Sequence, residues 1–409
     1  MATEPLAIEG GNAVRSITLP YSRQWIDETD VAAVVATLKS DWLTTGPKVR
    51  EFEEAFARFV GAKEAVAVSS GTAALHSAMH ALGVGEDDEV IVPALTFAAS
   101  ANCVVYQRAT PVFADVDPET LLIDPADVAR KVTARTRAVI AVDYAGQPCD
   151  YDRLRDAING RGIAVVADAC HSLGASYKTY SVGTLADMTV FSLHPVKALT
   201  TGEGGVIATN NPEIARKIRR FRNHGVTSDH FERERQQSWR YEMTELGYNY
   251  RLSDLQCALG LSQLRRVGDF VARRRAVARR YDEAFSTRIE FEPLRVGSNV
   301  EHAYHLYVIR LQPEFLSVDR DRIFRALRAE GIGVNVHYVP VYLHPFYQAR
   351  FGGNPGCCPV AAASYDRILS LPLFPSMQNS DVADVITAVA KVINAYAVHP
   401  RLAAASGSS

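Results

Sequence analysis

The chain has 409 residues, 47% hydrophobic and 22% charged, which suits a globular protein of two or three domains. Its 44 Lys and Arg nearly balance its 46 Asp and Glu, so no overall field draws it to nucleic acid or to an anionic membrane. Neither partner is expected.

From about residue 30, helical and strand-like patterns alternate. VAAVVATLKSDWL and VREFEEAFARFVG repeat apolar residues at helical spacing, EAVAVSS reads as a buried strand, and GTAALHSAMHALGV as the helix after it. DEVIVPALTF, ATPVFADV, RAVIAVDYAG and IAVVADACHS are further strand candidates, separated by helical stretches such as PADVARKVTART and YDRLRDAING. This alternation predicts an α/β fold with a mostly parallel sheet. After FSLHPVKALTTGEGGV the pattern changes. NPEIARKIRRFRNHG is a basic helix, residues 226–245 are charge-rich without a clear period, and residues 252–285 read as one or two long helices. Strand signals return in HAYHLYVIRL and IGVNVHYVPVY, with the amphipathic helix RDRIFRALRAEG between them. The expected organisation is a large domain over residues 1–255 and a smaller C-terminal α+β domain over 256–409, ending in a disordered tail.

The six cysteines form no C-x-x-C pair, and Cys357 and Cys358 are adjacent, which points to reduced thiols rather than a disulfide framework or zinc knuckle. The N-terminus has no basic region followed by an apolar core, and no apolar run approaches the ~20 residues that span a bilayer. A cytoplasmic protein is expected.

Four positions carry possible chemistry. In VSSGTAAL, a strand end meets a glycine turn and a helix start, where unpaired N–H groups at Ser70, Gly71 and Thr72 could cradle a phosphate; an ordinary capped helix has the same signature. Asp168 ends IAVVAD at the edge where open α/β sheets bind ligands, and it would need a cationic or donor partner, although capping the next turn is the plain alternative. Asp143 in AVDYAG offers the same choice, and there the structural role is preferred. Lys197 follows another strand and is trailed by the glycines of TTGEGG, so its amine could meet Asp168 in one crevice and, partly desolvated, become a nucleophile toward an aldehyde. Most loop lysines are simply solvated. His76 and His80 stand at i, i+4 without the glutamate of a zinc-protease helix, and no metal is expected. No dinucleotide fingerprint or P-loop occurs, which disfavours nicotinamide and nucleotide-triphosphate enzymes.

A phosphate-type helix start, a strand-end Asp and a Gly-flanked loop Lys, in this order, match what pyridoxal phosphate (PLP) chemistry needs. The chain resembles the DegT-type PLP-dependent sugar-nucleotide aminotransferases, of fold type I, from about residue 18 to residue 395. The resemblance implies that Gly71, Thr72 and Ser192 hold the cofactor phosphate, that Phe97 stacks on the ring, and that Asp168 pairs with the pyridine nitrogen. It implies that His171, where most relatives have Gln, contacts the ring oxygen, and that Lys197 forms the Schiff base. Asn249 in GYNYRLSDLQCALG would reach the neighbouring subunit's cofactor phosphate, which implies a homodimer with shared sites. VDYAGQPCDYDRL, DACHSLGA and VHYVPVYLHPFY are most similar to the branch that makes UDP-4-amino-4,6-dideoxy-N-acetyl-β-L-altrosamine in pseudaminic acid synthesis, with L-glutamate as donor. His337, Tyr338 and Tyr342 are expected around the sugar, core packing being the alternative for the tyrosines. Rival readings are another GDP- or dTDP-linked substrate, as in perosamine-type transfer, a PLP sugar dehydratase, or a non-catalytic regulatory homologue. The dehydratase branch replaces the Schiff-base lysine with His, and the intact Asp168 and Lys197 argue against the regulatory one.

Overall fold

The short apolar runs of the first half become one seven-stranded sheet in the computed structural model of the chain, which describes residues 5–398 apart from 229 and 236. The expected disorder of the last residues, 401–409, falls outside the described residues. The strands are β1 (Glu64–Val68), β2 (Glu89–Pro93), β3 (Thr110–Ala114), β4 (Thr136–Val142), β5 (Ala164–Asp168), β6 (Met188–Ser192) and β7 (Gly205–Thr209). They lie in the order β1-β7-β6-β5-β4-β2-β3, and all are parallel except β7, which runs against both neighbours.

Both faces of the sheet are covered, which is why its strands read as unbroken apolar runs rather than as alternation. On β1, Val66 and Val68 pack with Leu75, Ala78 and Met79 of the helix Gly71–Ala81, and with Ile218 of the helix Pro212–Phe221. Ala65 and Ala67 face the other way, toward Phe52 and Phe56 of the helix Pro47–Val60. Burying these side chains on two faces, at roughly 25 cal/mol per Å² of apolar area, is the main force that holds the layers.

A smaller antiparallel sheet, β8 (Phe291–Pro293), β9 (Tyr307–Leu311) and β10 (Ile368–Leu371), packs with the helices Arg320–Ala329 and Asn379–Tyr396. The strand expected over residues 332–342 does not form. That segment makes only isolated bridges, Ile332 to Leu19 and Asn335 to Ser370, because its later backbone is bound elsewhere: the His337 carbonyl accepts from Tyr144 Oη, and Val341 N–H bonds Ala94 O at 2.9 Å. The third strand comes instead from RILSL.

We propose a two-lobed division, with the sequence boundary at 256 lying inside the helix Asp254–Leu264. Cys257 and Leu264 of that helix, and Val267 and Val271 of the next one (Val267–Phe285), share a cluster with Phe52 and Phe56. Val277, Tyr281 and Phe285 belong to the core of the smaller lobe, which also takes in Leu6 and Leu19 from the N-terminal segment.

Candidate active site

β1 hands over to the helix Gly71–Ala81 through Ser70, whose extended backbone (φ −165°) and Oγ, accepting from Ala73 N–H at 3.0 Å, make an N-cap. The Ser70 hydroxyl is thus committed to its own helix, while Gly71 and Thr72 occupy the first turn, where N–H groups lack intrahelical partners. Sheet register then puts Val68 of β1, Gly205 of β7 and Ser192 of β6 at one level. A Cβ on Gly71 would lie 3.0 Å from Ser192 Cβ and 3.4 Å from Cys170 Sγ, and one on Gly205 would lie 2.3 Å from Ser70 O. Glycine at both positions lets the helix start approach Ser192 across the antiparallel strand. The result is a cradle of backbone N–H groups and a hydroxyl at the positive end of a helix.

Asp168 closes β5, level with Val142 of β4 and Val190 of β6. Its Oδ2 accepts from Ser100 Oγ–H at 2.7 Å and its Oδ1 from Cys170 N–H at 3.3 Å, and among the described residues it has no salt bridge. Lys197 sits in a turn beyond β6 in which its N–H bonds His194 O at 2.9 Å, while Leu193 N–H bonds Gly204 O at 2.9 Å. The Lys197 amine has no hydrogen-bond or ion-pair partner among the described residues. Burial lowers its pKa; the neighbouring Cys170 and Asp168 oppose that shift and Arg274 adds to it, so the neutral, nucleophilic form is favoured beyond what an exposed lysine shows.

His171 is buried, with Nε2 3.1 Å from Tyr338 Oη and Nδ1 without a partner. Its ring lies 4.3 Å from that of His305, and desolvation drives both imidazoles to the neutral form. Close packing fixes the pair: Gly146, at φ +104°, leaves a Cβ position only 2.9 Å from both His171 O and His305 N. His337 is buried, its Nδ1 is 2.8 Å from Ser370 Oγ, and burial lowers its pKa to about 4. Phe97 is 60% exposed, and its ring lies 5.9 Å from the Tyr338 ring at the mouth of the crevice.

Two expected residues lie outside this crevice, Asn249 as its expected reach to a neighbouring subunit requires. Tyr342 is fully buried in the core beside Phe113, and its hydroxyl donates to Cys358 O at 3.0 Å, away from the crevice. Asn249 is exposed, bridged through its backbone to Asn223 and following the exposed apolar side chains of Met243, Leu246 and Tyr248. His76 and His80 are held by Tyr250 and Glu245, each at 3.1 Å. Sequence reading missed Ser100, His305 and Arg274, as well as Tyr21 and Ser22 of the N-terminal segment. Ser100 meets Asp168 across 68 residues of chain, and nothing local in TFAAS signals that pairing.

The residues fit PLP. An uncompensated buried carboxylate awaits a cation, an unpaired amine stands beside it, and a cradle that a single Cβ would fill suits a phosphate. A model of the DegT/DnrJ/EryC1/StrS aminotransferase family matches residues 24–390. The spore coat polysaccharide biosynthesis protein SpsC of Bacillus subtilis is 44% identical over 381 residues, 93% of this chain and 98% of its own. A Streptococcus pneumoniae protein assigned as a sugar aminotransferase, solved in its PMP form, aligns with a TM-score of 0.88 and 33% identity, covering 92% of this chain and 99% of its own. Helicobacter pylori PseC, an aminotransferase involved in the biosynthesis of pseudoaminic acid, aligns with a TM-score of 0.87 and 31% identity over 93% of this chain and 100% of its own.

Proposed function

Since this chain belongs to the DegT/DnrJ/EryC1/StrS aminotransferase family, we propose that it moves an amino group from L-glutamate to C4 of a UDP-linked 4-keto-6-deoxy-2-acetamido hexose, as in pseudaminic acid biosynthesis. That it is a PLP-dependent sugar aminotransferase follows from the family and from neighbours solved in PLP and PMP forms; the donor, the nucleotide and the sugar are our reading. The observation that carries it is the buried, unpaired Lys197 amine, which feels the charges of Asp168 and Cys170, five residues beyond the Ser192 against which Gly71 packs.

When bound, pyridoxal phosphate supplies the electron sink that makes a proton next to the transferred nitrogen removable. Gly71, Thr72 and Ser192 would hold its phosphate, and Phe97 would lie over its ring. Asp168 holds the proton on the pyridine nitrogen, its carboxylate kept in place by Ser100 and the Cys170 N–H. Tyr338, 3.1 Å from His171 Nε2, holds that ring in place, and His171 would contact the ring oxygen of the bound cofactor. The Lys197 Nζ takes the proton from the donor's α-carbon as general base, and in the return direction delivers one to the sugar at C4. His337 and Tyr338 wall the acceptor.

We also read the enzyme as a cytoplasmic homodimer in which Asn249 completes the neighbouring site. The exposed Asn249 at the end of an apolar strip supports the dimer, and among the described residues no helix is long and apolar enough to cross a membrane. The test of specificity is a mass-spectrometric panel of UDP-, dTDP- and GDP-linked keto-sugars with glutamate as donor. Amination of the UDP-linked 4-keto-6-deoxy-2-acetamido hexose in preference to the others is expected; preferential amination of a dTDP- or GDP-linked sugar would reassign the substrate.

A further inference from the structure

We propose that Tyr21 is a specificity-determining contact for the acceptor sugar, carried into the crevice by an N-terminal strap. The inference rests on the sugar-acceptor reading above. The strap runs from the smaller lobe to the Lys197 turn. Leu19 N–H bonds Gly331 O at 2.9 Å, Gly333 N–H bonds Leu19 O at 2.8 Å, Leu373 N–H bonds Tyr21 O at 3.0 Å, and Ser22 Oγ–H reaches Val196 O, the residue before Lys197, at 3.4 Å.

The strap is held as part of the core. The buried Glu330 carboxylate accepts from Ala7 N–H at 2.8 Å and Val14 N–H at 3.0 Å and pairs with Lys391 at 3.0 Å. A carboxylate taken out of water and then satisfied by two backbone donors and a cation fixes the segment that supplies them. Leu6 and Leu19 add buried apolar area on the same side.

What the strap delivers is an aromatic face with a free hydroxyl. The half-buried Tyr21 ring lies 5.4 Å from the His337 ring, next to Tyr338 and, beyond it, Phe97. Its hydroxyl has no hydrogen-bond partner among the described residues. Burial raises its pKa, so it remains a neutral phenol able to donate and to accept. A hexose offers an apolar C–H face for the ring and hydroxyl or acetamido groups for the phenol, the usual pairing in a small-molecule pocket. Glutamate offers two carboxylates and no such face. Tyr21 therefore discriminates between the two half-reactions of one active site.

The test follows each half-reaction by the cofactor spectrum of the holoenzyme. Glutamate drives the first, and a UDP-linked 2-acetamido-4-keto-6-deoxy hexose drives the second on the amino form. Tyr21→Phe is expected to lower the second-order rate of the sugar half-reaction about threefold to tenfold, the worth of one neutral hydrogen bond. Tyr21→Ala is expected to lower it on the order of 100-fold, with the glutamate rate lowered much less and the thermal midpoint unchanged in Tyr21→Phe. Equal losses in both half-reactions, or a Tyr21→Ala protein with the wild-type sugar rate, would overturn the assignment. A wild-type protein that is not bleached by glutamate would instead bring down the functional reading itself.

Discussion

Asp168 is 6% exposed and is held by two neutral donors, with no salt bridge among the described residues. A buried charge in that condition is costly unless a partner arrives, and a protonated pyridine nitrogen is such a partner. Asp143 shows the contrast. It is also buried, at the end of β4, but accepts from Ser172 Oγ–H at 2.6 Å, Tyr151 Oη–H at 2.8 Å and Cys149 N–H at 2.9 Å. Those three donors use its acceptor capacity and assign it to the scaffold, although burial still pushes its pKa up to about 6. Two carboxylates on neighbouring strands thus differ in role by what surrounds them. Asp168→Ala is expected to slow amino transfer by roughly 100- to 1000-fold, as loss of an electrostatic partner in a water-poor site does, while the protein keeps some cofactor. Single-turnover rates with glutamate measure this, and a fully active variant would reassign the carboxylate. Asp168 and Asp143 share one sequence pattern, an apolar strand closed by Asp, in which the structural role was preferred for Asp143; its three donors, from Cys149, Tyr151 and Ser172, accord with that role.

At the scale of elements, the segment from Trp239 to Asn249 gathers exposed apolar side chains that other parts of the described chain do not cover. Trp239 is 81% and Leu246 75% exposed, with Tyr241 and Met243 also outward. Apolar side chains gathered this way mark a surface that another molecule covers, and the position of Asn249 at its end makes a second copy the fitting cover. If the proposed homodimer uses this strip, a Met243→Asp, Leu246→Asp double variant is expected to give a monomer mass by light scattering where the wild type gives a dimer mass, and to lose cofactor affinity. Retention of the dimer mass would remove this strip from the interface. The alternation of short strands and helices was legible here because parallel strands buried on both faces leave unbroken apolar runs, and helices leave a 3.6-residue period. IGVNVHYVPVY misled for the opposite reason. Its Val, Ile and Tyr content suits a strand, but its hydrogen bonds go singly to Leu19, Ser370, Ala94 and Tyr144. Propensity reports a fit to a pleated surface, not the presence of a neighbour.

For the whole molecule, the site is assembled where β1, β5 and β6 end together, and the antiparallel β7 threads between two of them to bring Gly71 against Ser192. The order of the motifs along the chain already pointed to one crevice, since parallel strands end on one edge. The smaller lobe's contribution was much less legible. His305 belongs to a segment read only as a strand, Arg274 to a stretch read only as one or two long helices, and Tyr21 to an N-terminal stretch that precedes the alternating pattern. Arg274 is in fact buried and donates to Leu373 O at 2.8 Å and His305 O at 3.2 Å, tying the long helix to the loop that carries His305 against His171. Such partnerships depend on lobe packing, which no local pattern encodes.

The central claim is that Lys197 is the amine that binds the cofactor. Reduction of the PLP-loaded protein with borohydride, followed by digestion and mass spectrometry of the lysine-containing peptides, tests it most directly. The account predicts a phosphopyridoxyl mass on Lys197 and none in the Lys197→Ala protein, which should also have lost transamination. A label on a different lysine, or unchanged turnover in Lys197→Ala, would contradict it.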